Sequence, residues 1–194
     1  MHGSRRSSAV PEQDAAERLS TLRELTAFEI GEARLVFDGG LDFTCVRVIE
    51  QVRWPDRFAA FGAWVHRGLA PTHNAVTLGN RLHFPVLLRT GPTQEEGPRL
   101  SDMAWLIHEL THAWQYQTQG VVYLWKAVMA QIKLGHRAYE YGWEEGLNNA
   151  RLRGDSLLEF NPEQQGDIAR HYYYRRKQGL DTRAWDPFVL FFKS

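Results

Sequence analysis

A single cysteine, Cys45, stands in a chain of 194 residues. It has no internal partner for a disulfide, and one thiolate cannot build a metal site by itself. Long hydrophobic runs are missing too: nothing approaches the roughly 18 consecutive apolar residues that a membrane-spanning helix needs. Neither sign of charge is in excess, since 23 basic residues balance 23 acidic ones. A general binder of nucleic acid or of a membrane surface carries a basic excess, so neither is expected as a partner. No internal repeat or low-complexity tract is found. The opening MHGSRRSSAVPEQD, residues 1–14, has arginines but no apolar stretch behind them. It reads as a flexible lead-in rather than a secretory leader. The expected compartment is the cytoplasm, with export by a route that uses no leader left open. Nothing in the sequence sets an oligomeric state.

What is present is enough for a core. Hydrophobic residues make up 43% and aromatics 12%, which predicts one folded domain over residues 15–194. Ala15, Leu19, Leu22 and Leu25 have helical spacing. Thr26 followed by Glu29 is a capping-box pattern opening a short helix through Ala33, broken by Asp38-Gly39-Gly40. Phe43 to Val52, rich in β-branched residues, reads as a strand. Trp54 to Asn74 is irregular and reads as a long connection or as a short helix flanked by loops. Val76–Leu78 and Arg81–Phe84 flank Gly79-Asn80 at hairpin spacing. Residues 90–98 (TGPTQEEGP) form a loop by composition. Ser101 or Asp102 is expected to cap a helix that runs through Gln119 and stops at Gly120. A further helix is read over Val122–Leu134, while His136–Phe160 reads equally as helix or loop. Asn161-Pro162 caps a helix to about Gln178, and the apolar tail Trp185–Phe192 is expected to pack back on the domain.

The chemistry is concentrated in His108-Glu109-Leu110-Thr111-His112, an H-E-x-x-H pattern that chance alone produces in about 2% of sequences of this composition. On a helix the two histidines lie one turn apart on one face, so that two imidazole nitrogens meet one zinc ion. Glu109 lies beside them without being a ligand; it is placed to deprotonate a water and hand the proton to a leaving group. Met103, Ala104, Leu106, Ile107, Leu110 and Ala113 make the helix apolar nearly all round, as a buried helix is. Two histidines and a carboxylate in such a helix need a partner to satisfy them, and a metal ion is one.

Catalytic zinc takes a third protein ligand and leaves one position open. No histidine follows at the position where a longer motif would put one, because Thr118 is there and Gln115 stands where that motif has glycine. The ligand must come from another element. Glu163 is the leading candidate, with Asp167 one turn later on the same face, placed to hold a histidine by its other ring nitrogen. Gly166 between them lowers helix propensity by about 1 kcal/mol relative to alanine, which close approach to the His108–His112 helix would offset. The rivals for the third position are His136, His171, Glu159 and the pair Glu144-Glu145. A His₂-carboxylate set prefers zinc but also binds other divalent ions.

HELTH on a buried helix with a distant E-x-x-x-D resembles the gluzincin branch of zinc metallopeptidases. WLIHELTHAWQYQ, with LDFTCVRV and VTLGNRLHFP before it and NPEQQGDIARHYY after it, is similar to a bacterial zincin-like group. That group includes Vgr-related proteins and the core domain found with extracellular contractile injection systems. The likeness spans Leu25 to Arg176. It implies an α+β zincin-like domain, in which a small twisted, partly antiparallel sheet packs on an active-site helix and a third-ligand helix. By resemblance His108, His112 and Glu163 are the ligands of one Zn²⁺ per chain, Glu109 is the base and Asp167 supports a histidine. Two departures stand out. Pro162 separates Asn161 from Glu163, where the family has an asparagine directly before the glutamate. The family's later catalytic histidine has no clear counterpart, so the oxyanion-stabilising group is open among Tyr139, Tyr141, His136 and His171.

The expected function is zinc-dependent hydrolysis of a peptide or protein substrate, with the hairpin Val76–Phe84 as the strand that pairs with it. The alternative is a catalytically silent zinc protein, a structural or effector component of a secretion or contractile apparatus. The run Tyr172-Tyr173-Tyr174-Arg175-Arg176-Lys177 could stack on nucleic acid, but three adjacent helical residues cover most of the circumference, so one or two of the tyrosines are expected in the core. Trp105, Trp114 and Trp125 are expected to fill the core around the metal helix.

Overall fold

A computed structural model of the chain describes residues 21–52, 75–92, 97–120 and 140–194. Among these residues the architecture is α+β, with four short strands in one sheet and five α-helices. The strands are β1 (Thr21–Arg23), β2 (Arg47–Glu50), β3 (Val76–Leu78) and β4 (Arg81–His83), in the order β1-β2-β4-β3. The outer pairs β1–β2 and β3–β4 are antiparallel, and the central pair β2–β4 is parallel. The sheet is therefore mixed, and β3 forms one of its edges.

Helical spacing at the start of the chain misleads over residues 21–23, which are strand. Leu22 is 65% exposed, so its place in the Leu19–Leu22–Leu25 series marks no core stripe. What fixes this segment is Arg23, whose guanidinium reaches Glu50 on β2 and Glu29 beyond. Residues 15–20 lie outside the described residues. Helix α1 (Ala27–Phe37) opens with the expected Thr26/Glu29 capping box and runs one turn past Ala33, to Asp38 at φ 47°. The strand expected from Phe43 is shorter: Asp42 caps a single 3₁₀ turn, Phe43–Cys45, and only Arg47–Glu50 pairs.

The β3–β4 hairpin forms as the sequence predicts. Gly79 takes φ +62° in its turn, a conformation that glycine adopts at little cost. Helix α2 (Leu100–Gln119) ends at Gly120 as expected but starts before Ser101, with Arg99 in the capping position and no side-chain cap. Asp102 instead accepts the backbone N–H of Arg89, tying the first turn to the preceding loop. Of His136–Phe160, residues 140–160 are described and hold helix α3 (Trp143–Arg153) and a 3₁₀ turn at Leu157–Glu159. Helix α4 (Pro162–Lys177) carries the Asn161 cap, reinforced by Gln164.

The core lies between the sheet, α1, α2 and α4. Leu106, Ile107, Leu110 and Ala113 of α2 are fully buried, as are Val48 and Leu82 of the sheet. Tyr172 and Tyr173 are buried and Tyr174 is exposed, as a helical run of three requires. After α5 (Asp186–Val189) the tail folds back, and the Phe192 ring meets Phe37 and Trp114 edge-on. Trp105 packs edge-on to Phe84. Trp125 and the segments Trp54–Asn74 and Val122–Leu134 fall outside the described residues. No helix among the described residues is long and apolar enough to cross a membrane.

Candidate metal centre

Helices α2 and α4 pack against each other, with Gly166 set against His108. A Cβ there would lie 2.7 Å from Cε1 of His108. The glycine that weakens α4 as a helix is what lets α4 reach the imidazole, as the sequence led us to expect. Pro162 fixes the first turn of α4, and the Asn161 cap aims Glu163 inward from that turn.

Glu163 thereby meets both histidines. Its Oε2 is 3.3 Å from Nε2 of His108 and 3.6 Å from Nε2 of His112. The ligand atoms of the three residues all lie within 4.8 Å of one another. Charge-assisted N–H···O bonds are shorter, about 2.7–2.9 Å. Donor atoms about 2.1 Å from a tetrahedral zinc stand roughly 3.4 Å apart, close to both separations. The donor set thus fits a small divalent cation at its centre. His108, His112 and Glu163 could hold a metal ion.

The other nitrogen of each ring is already engaged. Nδ1 of His108 donates to Asp167 Oδ1 at 3.0 Å, and Nδ1 of His112 donates to Gln115 Oε1 at 2.7 Å. With both Nδ1 atoms acting as donors, both Nε2 atoms face Glu163, where a metal ion would take the place of a proton. This is the outer support that metal-ligating histidines generally have. Asp167 was legible as such a support in the sequence; Gln115 was not, being the residue that breaks the longer histidine motif. Its amide also donates to the carbonyl of Pro162 at 3.1 Å and to Gln165 Oε1 at 3.0 Å. Gln165 in turn donates to the carbonyls of Leu157 and Phe160. Two buried amides therefore connect His112 to the turn that delivers Glu163. The available signal was spacing, since a residue three after His112 lies on the same helical face.

The electrostatics call for positive charge. Burial by itself would push His108 down, but the Asp167 and Glu163 carboxylates outweigh it and raise its pKa to about 10. His112 is likewise raised by Glu163 against the effect of burial. Burial would lift Glu163, yet the two imidazoles hold it far below the usual carboxylate range.

Glu109 is 5% exposed and is not among the three clustered donors. Thr77 of β3 donates to its Oε2 at 2.7 Å, so the edge strand touches the carboxylate between the two histidines. Among the described residues Oε1 of Glu109 has no hydrogen-bond partner.

The remaining candidates fall elsewhere. Tyr141 and His171 are brought to each other: His171, whose Nε2 accepts from Arg170, donates through Nδ1 to the Tyr141 phenol at 2.9 Å, and the phenol also accepts from Trp185 Nε1 at 3.2 Å. His171 stacks on Trp143, and burial with the neighbouring Arg170 lowers its pKa to about 4. Glu159 caps the turn at Ser156, and Glu144 and Glu145 are exposed on the first turn of α3. His136 and Tyr139 lie outside the described residues.

No family model matches the chain, and no solved structure matches it. Among curated proteins it is similar to the type VI secretion system spike protein VgrG2b of Pseudomonas aeruginosa, at 29% identity over 175 residues. That alignment takes in 89% of this chain but 15% of the relative, so the chain spans a small part of the length of the protein it matches. The likeness links the chain to a Vgr-type spike protein.

Proposed function

We propose that the chain is a zinc-dependent peptidase of gluzincin type, with His108, His112 and Glu163 as ligands and Glu109 as general base. The observation that carries this reading is the spacing of three donor atoms around one point, with both imidazoles already held through Nδ1. When bound, zinc would supply a Lewis acid that polarises a scissile carbonyl and makes water more acidic.

The chain's own residues supply the rest. Glu109 takes a proton from water on Oε1, keeps its orientation through the Thr77 bond to Oε2, and delivers the proton to the departing amine. A purely structural site has no use for a buried carboxylate at this position. The substrate is an extended peptide that adds to β3, an edge strand among the described residues. Tyr141 accepts from His171 and from Trp185, so donating its own proton to a developing oxyanion would not require the His171 bond to break. The likeness to a type VI secretion spike protein supports one more element: the peptidase serves as an effector of a secretion apparatus.

The test is metal content by mass spectrometry, followed by a peptide-library digest. Wild type should carry about one zinc per chain, with a large loss in His112→Ala and Glu163→Ala. Glu109→Gln should keep its zinc and lose cleavage. Zinc retained in Glu163→Ala would remove the gluzincin assignment. Equal digestion by wild type and Glu109→Gln would leave only the silent zinc protein.

A further inference from the structure

The face of the sheet turned away from α2 carries a second feature. Thr77 and Leu82 are cross-strand partners and point toward α2, one onto Glu109 and the other into the core. By alternation Leu78, Arg81, His83 and Arg47 point to the opposite face. A cavity of about 550 Å³ opens at the hairpin end of this face, bounded by these side chains and by the Gly79-Asn80 turn, where Tyr116 reaches it from α2.

Among the described residues its lining holds two guanidinium groups and no carboxylate. Arg47 and Arg81 stand directly opposite each other in the parallel pair, an arrangement that like charges destabilise. Arg47 is occupied, by Glu24 and by the carbonyls of Thr44 and Val46. Asp42, at the rim through Cys45, is engaged by Thr44 and Cys45. Arg81 is exposed and has no ion-pair partner among the described residues. His83 donates to the Val76 carbonyl, and burial keeps its pKa low, so it adds no charge near neutrality.

The cavity begins at Leu78, the last residue of the edge strand. A peptide lying along β3 presents every second side chain to this face. The residue opposite Leu78 would be two strand spacings, roughly 10 Å, from Arg81. A glutamate and an arginine side chain together span that distance. Guanidinium groups favour carboxylates because two parallel N–H bonds match two oxygens.

We infer that this cavity is a subsite for an acidic side chain of the peptide, and that Arg81 is the residue that sets the preference. The inference rests on the peptidase reading, insofar as that reading makes the ligand a peptide.

The test uses the full chain carrying Glu109→Gln, loaded with zinc so that peptides bind uncut. Blocked ten-residue peptides, identical except for Glu, Gln or Lys at one scanned position, are titrated by calorimetry. At one position the Glu peptide should bind about tenfold more tightly than the Gln peptide. Adding Arg81→Gln should abolish that difference while leaving the Gln peptide's affinity unchanged. Arg81→Glu should transfer the preference to Lys. Each variant is accepted only with the parent's zinc content and circular dichroism, which an exposed side chain should not alter. An acid preference that survives Arg81→Gln, or peptides that bind without any preference, would overturn the subsite alone. Peptides of every kind failing to bind a zinc-loaded chain would overturn the subsite together with the peptide reading.

Discussion

Two buried clusters in this molecule pose the same electrostatic problem and solve it differently. Beside α1, Glu29 and Glu50 are 0% and 1% exposed, and both embrace Arg23. Thr90, the Thr26 N–H and the Leu88 N–H complete their hydrogen bonds. The cation is covalently part of the chain, it lies between the carboxylates, and the cluster is closed. Between α2 and α4, Glu163 and Asp167 are also buried, at 7% and 4% exposed, but what faces the Glu163 oxygen is a pair of imidazole nitrogens at 3.3 and 3.6 Å. Arg170 reaches Asp167 at 3.2 Å from the partly exposed end of the site, and no arginine or lysine among the described residues reaches Glu163. A cluster that carries its own cation is structural. One that leaves the central place to a mobile cation can do chemistry with it.

Removing the built-in cation is the most severe way to probe this contrast. Arg23→Met leaves two buried carboxylates without their cation and should cost about 3–5 kcal/mol of stability, read from the urea midpoint. The zinc content of the protein that remains folded should not change. Arg23 and its neighbouring hydrogen bonds hold Glu29 below its ordinary value of 4.5, in spite of burial. The stability from that depression is therefore present above pH 4.5 and is lost as pH falls through the lower folded value. The variant should lose much of that acid dependence. Loss of zinc in folded Arg23→Met would mean that the two clusters are coupled.

The metal cluster should show the opposite pH limb, and only when it is empty. In the metal-free chain the pKa of His108 rises from 6.5 to about 10. A group raised on folding contributes stability that is complete below pH 6.5 and disappears as pH climbs through about 10. Urea midpoints of chelator-treated protein at pH 6, 8 and 10 should fall over that interval. Midpoints of the zinc-loaded protein, freed of excess metal, should hold, because the ion takes the proton's place. Parallel curves for the two forms would show that the cluster holds no metal.

The two clusters were unequally legible in the sequence. His108, Glu109 and His112 could be read because they are local: helical geometry alone sets which face they share. Glu163 and Asp167 were found because the Asn161-Pro162 cap fixed where their helix begins, and hence which residues share a face. Gly166 was legible as a local rule broken without local reward, and His108 against its Cα side supplies the reason. The Arg23 cluster was invisible. Its carboxylates come from a helix and a strand 21 positions apart, and the strand carrying Arg23 has the apolar spacing of a helix. Nor does spacing tell where a tyrosine hydroxyl goes, and Tyr141 is engaged by His171 and Trp185. Long-range pairing decided each of these, and periodicity does not report it.

Gln115 tests how far the open cluster depends on supports that are neither ligand nor base. Gln115→Leu keeps the volume and the helix but removes the acceptor for Nδ1 of His112. It also strips a hydrogen bond from the Pro162 carbonyl and from Gln165 Oε1. The His112 ring is then free to turn its Nε2 away from Glu163, and the turn carrying Glu163 loses its tie to α2. Zinc affinity should fall about 10- to 100-fold, measured by competition with a chromogenic chelator. That is equivalent to roughly 1.4–2.7 kcal/mol, less than the removal of Arg23 should cost the fold. Cleavage at saturating zinc should recover most of its wild-type rate, since Glu109 and Thr77 are untouched. Unchanged zinc affinity in a folded Gln115→Leu protein would show that His112 is oriented by helix packing alone. The open cluster would then owe its geometry to the close approach at Gly166 and to the Asp167 bond, with the amide chain serving only to hold the two helices together.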